Sequence, residues 1–319
     1  MLRSFTLSDY GVLRKLTKKA VFLNNRIVLT QGAGASLRGA LLSPLSAFTG
    51  LHTFTSRAQG NSHPVFAQAF HASGSPLAYC LFFAPSSAVD SPVLPELLDG
   101  LTKHIGGRGA FSLVAEVEEV HPAFKALRQN GFGIFARQQV WKLTKAPSSI
   151  KSAVWRPALE RDLFGVHLLR KALVPGQVQQ IEIETAQPLD GYVLRKDGEI
   201  VAYAEVRRGP RAIWILPFVN LDAEPFDQAM AELIVRLRPR PGRPVYVCLR
   251  SYQDWLQSAL EDLGATAGPR QVVMARRTSL ALLAEEGRRV PASARRAEPT
   301  TPMQVPEPQA QFSDPVMEP

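Results

Sequence analysis

Cysteine is nearly absent from this 319-residue chain, which carries only Cys80 and Cys248. Two cysteines cannot make a disulfide framework, and with six scattered histidines they offer no zinc-ligand spacing, so no metal site is expected. Long apolar runs are missing as well. The longest, Leu77 to Ala84, falls far short of the roughly 18 residues a membrane-spanning helix needs, and the opening MLRSFTLSDYG has no apolar signal core. No membrane span and no secretion are therefore expected, and a reducing cytoplasm is the natural compartment. With 45% hydrophobic and 8% aromatic residues the chain can bury a sizeable core. At about 100–200 residues per domain, two domains are the default.

The formal net charge of +9 is unevenly placed. Residues 1–38 hold seven Lys or Arg against one acid, Asp9, and the segment Arg236 to Pro244 carries four arginines. Such patches attract phosphates of nucleic acid, an anionic cofactor or a lipid head group. No recognition-helix, RRM or zinc-finger pattern accompanies them, so a solvated basic face is expected and nucleic acid is not an expected partner.

From about Glu285 the composition changes. Residues 291–319 contain seven prolines and one aromatic, Phe312, so 285–319 reads as a disordered tail that cannot offset its ordering entropy by burial. The body before it contains an internal repeat. Residues 111–143 align without a gap on residues 244–276, and seven of the 33 positions are identical: Val114/Val247, Ala126/Ala259, Leu127/Leu260, Gly131/Gly264, Arg137/Arg270, Gln138/Gln271 and Val140/Val273. Both copies read as a buried strand (Phe111 to Val117; Val245 to Leu249), an amphipathic helix ending at a glycine, and a further strand (Phe135 to Leu143; Gln271 to Arg277).

The order upstream also recurs. In the second copy Tyr192 to Arg208 is a hairpin turning at Asp197-Gly198, Ala212 to Val219 is a strand, and Pro225 to Arg238 is a helix. In the first, Val65 to His71 and Leu77 to Ala84 are strands and Leu94 to Ile105 is a helix. Helical segments Ser8 to Leu23 and Glu160 to Leu173 open the two copies. With the linker at Lys145 to Ser152, the domains are 1–145 and 152–283.

This element order, ending in a helix L-x-x-x-G and a strand with R-Q-x-V, resembles the GNAT N-acetyltransferase superfamily in tandem. Ala123, Ala126 and Gly131-Phe132 match that family's A-x-x-L-Y-x-x-x-G-F segment. The resemblance implies a mixed α/β fold of two acyl-CoA N-acyltransferase-like domains. It also implies a cleft where two parallel strands splay to hold the pantetheine arm of acetyl-CoA or another acyl-CoA as co-substrate. A base would deprotonate the acceptor amine, backbone N–H groups would stabilise the oxyanion, and a tyrosine would protonate the thiolate.

Several parts depart from the family. The Gly-rich phosphate cradle is missing from both expected junctions, Pro85 to Leu94 and Pro217 to Phe226, where Asp90 and Asp222 stand near the helix starts as N-caps that would repel a phosphate. The usual tyrosine is Leu127 or Leu260. Tyr252 is the substitute proton donor, and Glu205 the candidate base, ahead of Glu116, Glu118 and His121. Pro217 suggests a bulge in its strand, which places Leu216, Phe218 and Val219 against pantetheine through their backbone. A cradle-like segment, Gln31 to Leu42 after a possible strand Arg26 to Thr30, comes too early in the chain for the family's cradle. Cys80 and Cys248 read as small buried residues, and Trp141, Trp214 and Trp255 as core.

Two functions follow. The first is acyl transfer from acyl-CoA to a small-molecule or protein amine, with the C-terminal domain as the working half. The second is a non-catalytic GNAT-fold protein that binds a ligand or a protein.

Overall fold

The computed structural model describes residues 2–41, 46–57, 64–144, 155–182, 189–223, 225–237, 239–240 and 242–278. The expected linker and tail lie outside the described residues.

Among the described residues, thirteen strands form one mixed sheet. They are β1 (Arg3–Ser4), β2 (Val21–Phe22), β3 (Leu51–Ser56), β4 (Val65–Phe70), β5 (Leu77–Ala84), β6 (Ser112–Glu118), β7 (Gly133–Leu143), β8 (Trp155–Pro157), β9 (Gly191–Lys196), β10 (Glu199–Arg208), β11 (Ile213–Val219), β12 (Val245–Arg250) and β13 (Thr266–Arg277). Their order is β1-β3-β4-β5-β6-β13-β7-β12-β11-β10-β9-β8, with β2 attached to β5. The helices are α1 (Tyr10–Leu16), α2 (Asn25–Gln31), α3 (Ala33–Leu41), α4 (Ser46–Thr49), α5 (Val93–Gly106), α6 (Pro122–Gln129), α7 (Leu163–Leu173), α8 (Gly176–Gln179), α9 (Phe226–Leu237) and α10 (Gln257–Asp262). No described helix is long and apolar enough to cross a membrane.

Local chemistry explains most boundaries. At the β9–β10 turn Asp197 and Gly198 both take positive φ, 51° and 87°, as a two-residue hairpin with the sheet's twist requires. Helix α6 begins with Pro122 after His121, whose ring Nδ1 accepts from the Ala123 N–H, and it is followed by Gly131 at φ 79°. In α5 the residues Leu94, Leu97, Leu98, Leu101 and Ile105 are buried at helical spacing, and in α9 Met230, Leu233, Ile234 and Leu237 are likewise.

The two copies of the repeat exchange their last strands. β13, from the second copy, lies between β6 and β7 of the first, while β7 lies against β12 of the second. The cores follow the exchange. Val272 and Met274 of β13 complete the cluster under α5 and α6, whereas Trp141 and Leu143 of β7 complete the cluster under α9 and α10. Neither copy has a finished core of its own.

The exchange also corrects the gapless alignment. Glu118 pairs with Gln271 and Arg250 pairs with Gln138, so Arg250 is the counterpart of Glu118 rather than of Val117. The Val114/Val247 identity is thus one residue out of step, and the two faces of the sheet show it: Val247 packs under α9 whereas Val114 faces the other side. Two further expectations change. Arg26 to Thr30 belongs to helix α2, not to a strand. The helix expected to run to Leu23 ends sooner, and the chain becomes β2.

Candidate functional site: two parallel-strand slots and a pocket between the halves

In each copy one parallel pair of strands separates soon after it begins. β5 and β6 pair only through Leu77–Tyr79 and Ser112–Val114, and β11 and β12 only through Ile213–Ile215 and Val245–Val247. These are the places where the resemblance expects pantetheine.

The first slot is occupied by the chain itself. Val21 and Phe22 pair with Phe83 and Phe82 of β5, after which the Leu23 N–H donates to the Leu81 carbonyl at 2.9 Å. The Leu23 carbonyl accepts from the Glu116 N–H of β6 at 2.8 Å. Leu23 therefore joins both walls as an extra length of extended backbone. Opposite it, the β4–β5 register shifts between Gln68 and Ala69, leaving Leu81 as the extra residue of a bulge.

The second slot has no such bulge. Pro217 was expected to mark one, but the β10–β11 register runs regularly from Ala202↔Val219 to Arg208↔Ile213. Proline is tolerated because Ala204↔Pro217 is a non-hydrogen-bonded pair, where no donor is needed toward β10. The alternation follows from the Asn220 N–H donating to the Val201 carbonyl at 2.9 Å. By the same alternation the N–H groups of Leu216 and Phe218 point to β10. The Val219 N–H is taken by Gln253 Oε1 at 2.8 Å, and Gln253 Nε2 donates back to the Val219 carbonyl at 3.0 Å. The backbone donors expected from Leu216, Phe218 and Val219 are thus all engaged within the protein, which corrects that assignment.

The expected phosphate positions are equally unsuited. Asp90 lies in a short 3-10 turn, Ser86–Asp90, and Pro92 rather than Asp90 precedes α5. Asp222 sits in another such turn, Leu221–Ala223, and accepts from Asn220 Nδ2 at 3.2 Å. The groove beside the start of α9 is lined by Asp227, Asp262, Phe226 and Trp255, with no lysine or arginine. Over its described residues Gln31 to Leu42 is a helix junction: Gly32 joins α2 to α3 at φ 85°, and a Cβ there would strike the Arg211 side chain.

A third feature lies where the halves meet. A pocket of about 240 Å³ opens on the sheet face that carries α2 and α7. Glu205 and Leu216, neighbours in the β10–β11 register, both line it. Glu205 Oε1 meets Arg207 Nε at 3.0 Å and Arg26 Nη1 at 3.5 Å. Across the pocket Arg250 Nε donates to Glu182 Oε1 at 2.7 Å, and the Tyr252 hydroxyl donates to Glu182 Oε2 at 3.2 Å. Burial, then Glu182, raises the Tyr252 pKa well above the ordinary phenol range. Burial, the largest single influence, works against the Arg250 charge, but Glu182, Cys248, Glu116 and Tyr252 together outweigh it and the guanidinium pKa rises. Arg250 Nη1 also donates to Gln138 Oε1.

Tyr252 and Glu205 are therefore linked to one pocket, Tyr252 only through Glu182. Phe218 instead stacks on Tyr203, with ring centroids 6.3 Å apart, beneath the Arg170 guanidinium at 4.6 Å. Of the other acids, Glu116 holds Asn25 through its backbone N–H at 2.9 Å. His121 caps α6. Burial pushes both cysteine thiols up to about 12, and Trp214, expected as core, also lines the pocket. Arg26, Arg170, Glu182 and Arg250 were not anticipated as pocket residues. Their only signal in sequence was charge next to apolar segments.

Three solved structures are similar to this chain in overall fold. A GCN5-related N-acetyltransferase from Sphaerobacter thermophilus is 12% identical, with 87% of this chain and 95% of that one covered at a TM-score of 0.53. A putative acetyltransferase from Pyrococcus horikoshii is 10% identical (88% and 90% covered, TM-score 0.50), and a Drosophila protein is 14% identical (88% and 99% covered, TM-score 0.50). The fold is that of the GNAT acetyltransferases. No family model and no curated protein matches the sequence. At these identities the likeness is one of GNAT architecture, with helices and a mixed sheet as expected, and the chemistry has to be read from the site itself.

Proposed function

We propose that this GNAT-fold chain is a non-catalytic binding protein whose ligand enters the pocket between the halves rather than an acyl-CoA slot. One observation carries the reading: both parallel-strand slots are filled by the protein's own groups, the first by the Leu23 backbone and the second by the Gln253 amide. Pantetheine amides would have to displace hydrogen bonds already made, at a cost set by the buried groups left unpaired. The acidic groove beside α9 adds repulsion for a pyrophosphate. The buried, protonated thiols suit the reducing cytoplasm expected from the sequence.

A second reading keeps acyl transfer from acyl-CoA to a small-molecule or protein amine in the C-terminal half, with Glu205 as base and Tyr252 as acid. It is favoured by the nature of the second plug, a side chain, since a rotamer change of Gln253 would free the Val219 N–H. Calorimetric titration of the full chain with acetyl-CoA and with CoA, for the wild type and for Gln253→Ala, separates the two. Absence of saturable binding in both proteins is expected. Micromolar binding of acetyl-CoA by the wild type, with acetylation of any amine, would overturn the binding-protein reading.

A further inference from the structure

The pocket between the halves holds unused hydrogen-bonding capacity of both signs. On the donor side, Arg26 meets Glu205 at 3.5 Å and donates no side-chain hydrogen bond among the described residues. Arg250 uses Nε for Glu182 and Nη1 for Gln138, which leaves Nη2 without a partner among them. On the acceptor side, Glu116 uses Oε2 for Asn25, and Glu205 uses Oε1 for Arg207 and Arg26. Glu116 Oε1 and Glu205 Oε2 accept nothing among the described residues.

These groups surround one side chain. Tyr79 lines the pocket, and its hydroxyl has no hydrogen-bond partner among the described residues. Burial raises its pKa, and Arg26, Glu205, Glu116 and Arg250 all act on the phenol, the arginines against the acids. Trp214, only 4% exposed, lines the same space. Between the charges the wall is apolar, with Leu77, Val114, Leu216 and Val273.

Size and charge then restrict the ligand. A volume of about 240 Å³ lies just below the roughly 300–1,000 Å³ typical of drug-sized ligands and suits a smaller one. A simple anion would answer the arginines but face two carboxylates with free oxygens, and a simple cation would meet the reverse problem. A ligand with both charges on a short apolar frame answers all of them. We propose that this pocket binds a free amino acid or an equally small amino-acid-like zwitterion, its carboxylate received by Arg26 and Arg250 and its ammonium by Glu116 and Glu205. The inference deepens the binding-protein reading and rests on it.

The test is titration of the full chain with each of the twenty free amino acids, followed by calorimetry and by tryptophan fluorescence. Saturable binding of at least one is expected, weakened about tenfold in Arg26→Gln and in Glu205→Gln at an unchanged melting temperature. The amide and the N-acetyl derivative of the same amino acid, each lacking one charge, should bind at least about tenfold more weakly. Failure of all twenty to bind overturns the proposal, as does equal affinity for the amide and N-acetyl forms. A chain that binds neither amino acids nor CoA loses this ligand while keeping the binding-protein reading. Acetyl-CoA binding with transfer removes both.

Discussion

Gln138 and Gln271 occupy the same position in the two copies of the repeat, and they touch: Gln138 Nε2 donates to Gln271 Oε1 at 2.9 Å. They are also directly opposed in the β7–β13 register, so the pseudo-two-fold axis of the molecule passes between them. Each serves one half beyond this bond. Gln138 Oε1 accepts from Arg250 Nη1, while Gln271 Oε1 also accepts from Asn25 Nδ2 at 2.8 Å. The strand exchange thus joins polar groups of both halves in one network that ends at Arg250 in the pocket wall.

Replacing Gln138 by leucine keeps the volume near constant but removes the acceptor for a buried guanidinium. Loss of about 2–3 kcal/mol is expected, from one charged donor left unpaired. Denaturant unfolding followed by circular dichroism measures it. A change under about 0.5 kcal/mol, typical of an indifferent surface site, would show that the network carries no stability.

The repeat was legible in sequence because its glycines and apolar periods recur, and Gly131 and Gly264 do take matching positive φ values, 79° and 74°. The exchange of strands was not. A buried strand reads the same whichever sheet it completes, so Val272 and Trp141 gave no sign of which half they serve. The short strands β1, β2 and β8 carry too few residues for any period to appear. At the site, Glu205 could be picked as a charge on an apolar strand. The plugs could not, because Leu23 fills the first slot with backbone atoms that any residue has, and Gln253 looks in sequence like an ordinary helix-start residue.

Leu23 offers a direct test of the first plug. Leu23→Pro removes the N–H that donates to Leu81 and should destabilise the chain by about 1–3 kcal/mol. The sharper readout is amide hydrogen exchange. In the wild type the Glu116 N–H, donated to the Leu23 carbonyl, should exchange as slowly as its neighbours in β6, and in the variant it should become faster than they are. Equal rates for Glu116 in the two proteins would mean that Leu23 does not close the slot.

Both copies open with the same ion-pair clamp. Arg156 donates to both oxygens of Asp162 at 2.6 Å, as Arg3 does to Asp9 at 2.7 Å, and the N–H groups of Leu159 and Thr6 add a bond to each carboxylate. The arginine hydrogen bond is the largest influence on each acid, holding Asp9 at about 2 and Asp162 below the ordinary carboxylate range. Their unfolded values are near 3.9, so the clamps contribute in full above that pH and are lost as the pH falls toward the folded values. Asp162→Asn should therefore cost about 2 kcal/mol at pH 7 and progressively less below pH 4. Denaturation curves at pH 7 and pH 3 check this, and a cost independent of pH would place the effect in packing.

A second pH window belongs to a histidine pair. His104 Nε2 lies 3.0 Å from His52 Nδ1, the two rings 4.8 Å apart between β3 and α5. Burial first, and then the charges of His104, Arg108 and His71, lower His52 to about 4. His104 is also lowered, by burial and then by Arg108 and His71. Unfolding returns both to about 6.5. The unfolded chain therefore binds more protons between those values, so this pair's contribution is complete above about pH 6.5 and declines as the pH falls toward 4. The melting temperature of the wild type should drop between pH 7 and pH 5. In His104→Gln, where one titrating group is gone and a polar partner for His52 remains, the drop should be visibly smaller. Identical slopes in the two proteins would show that the folded value of His104 is not depressed, which removes it as a source of the acid sensitivity.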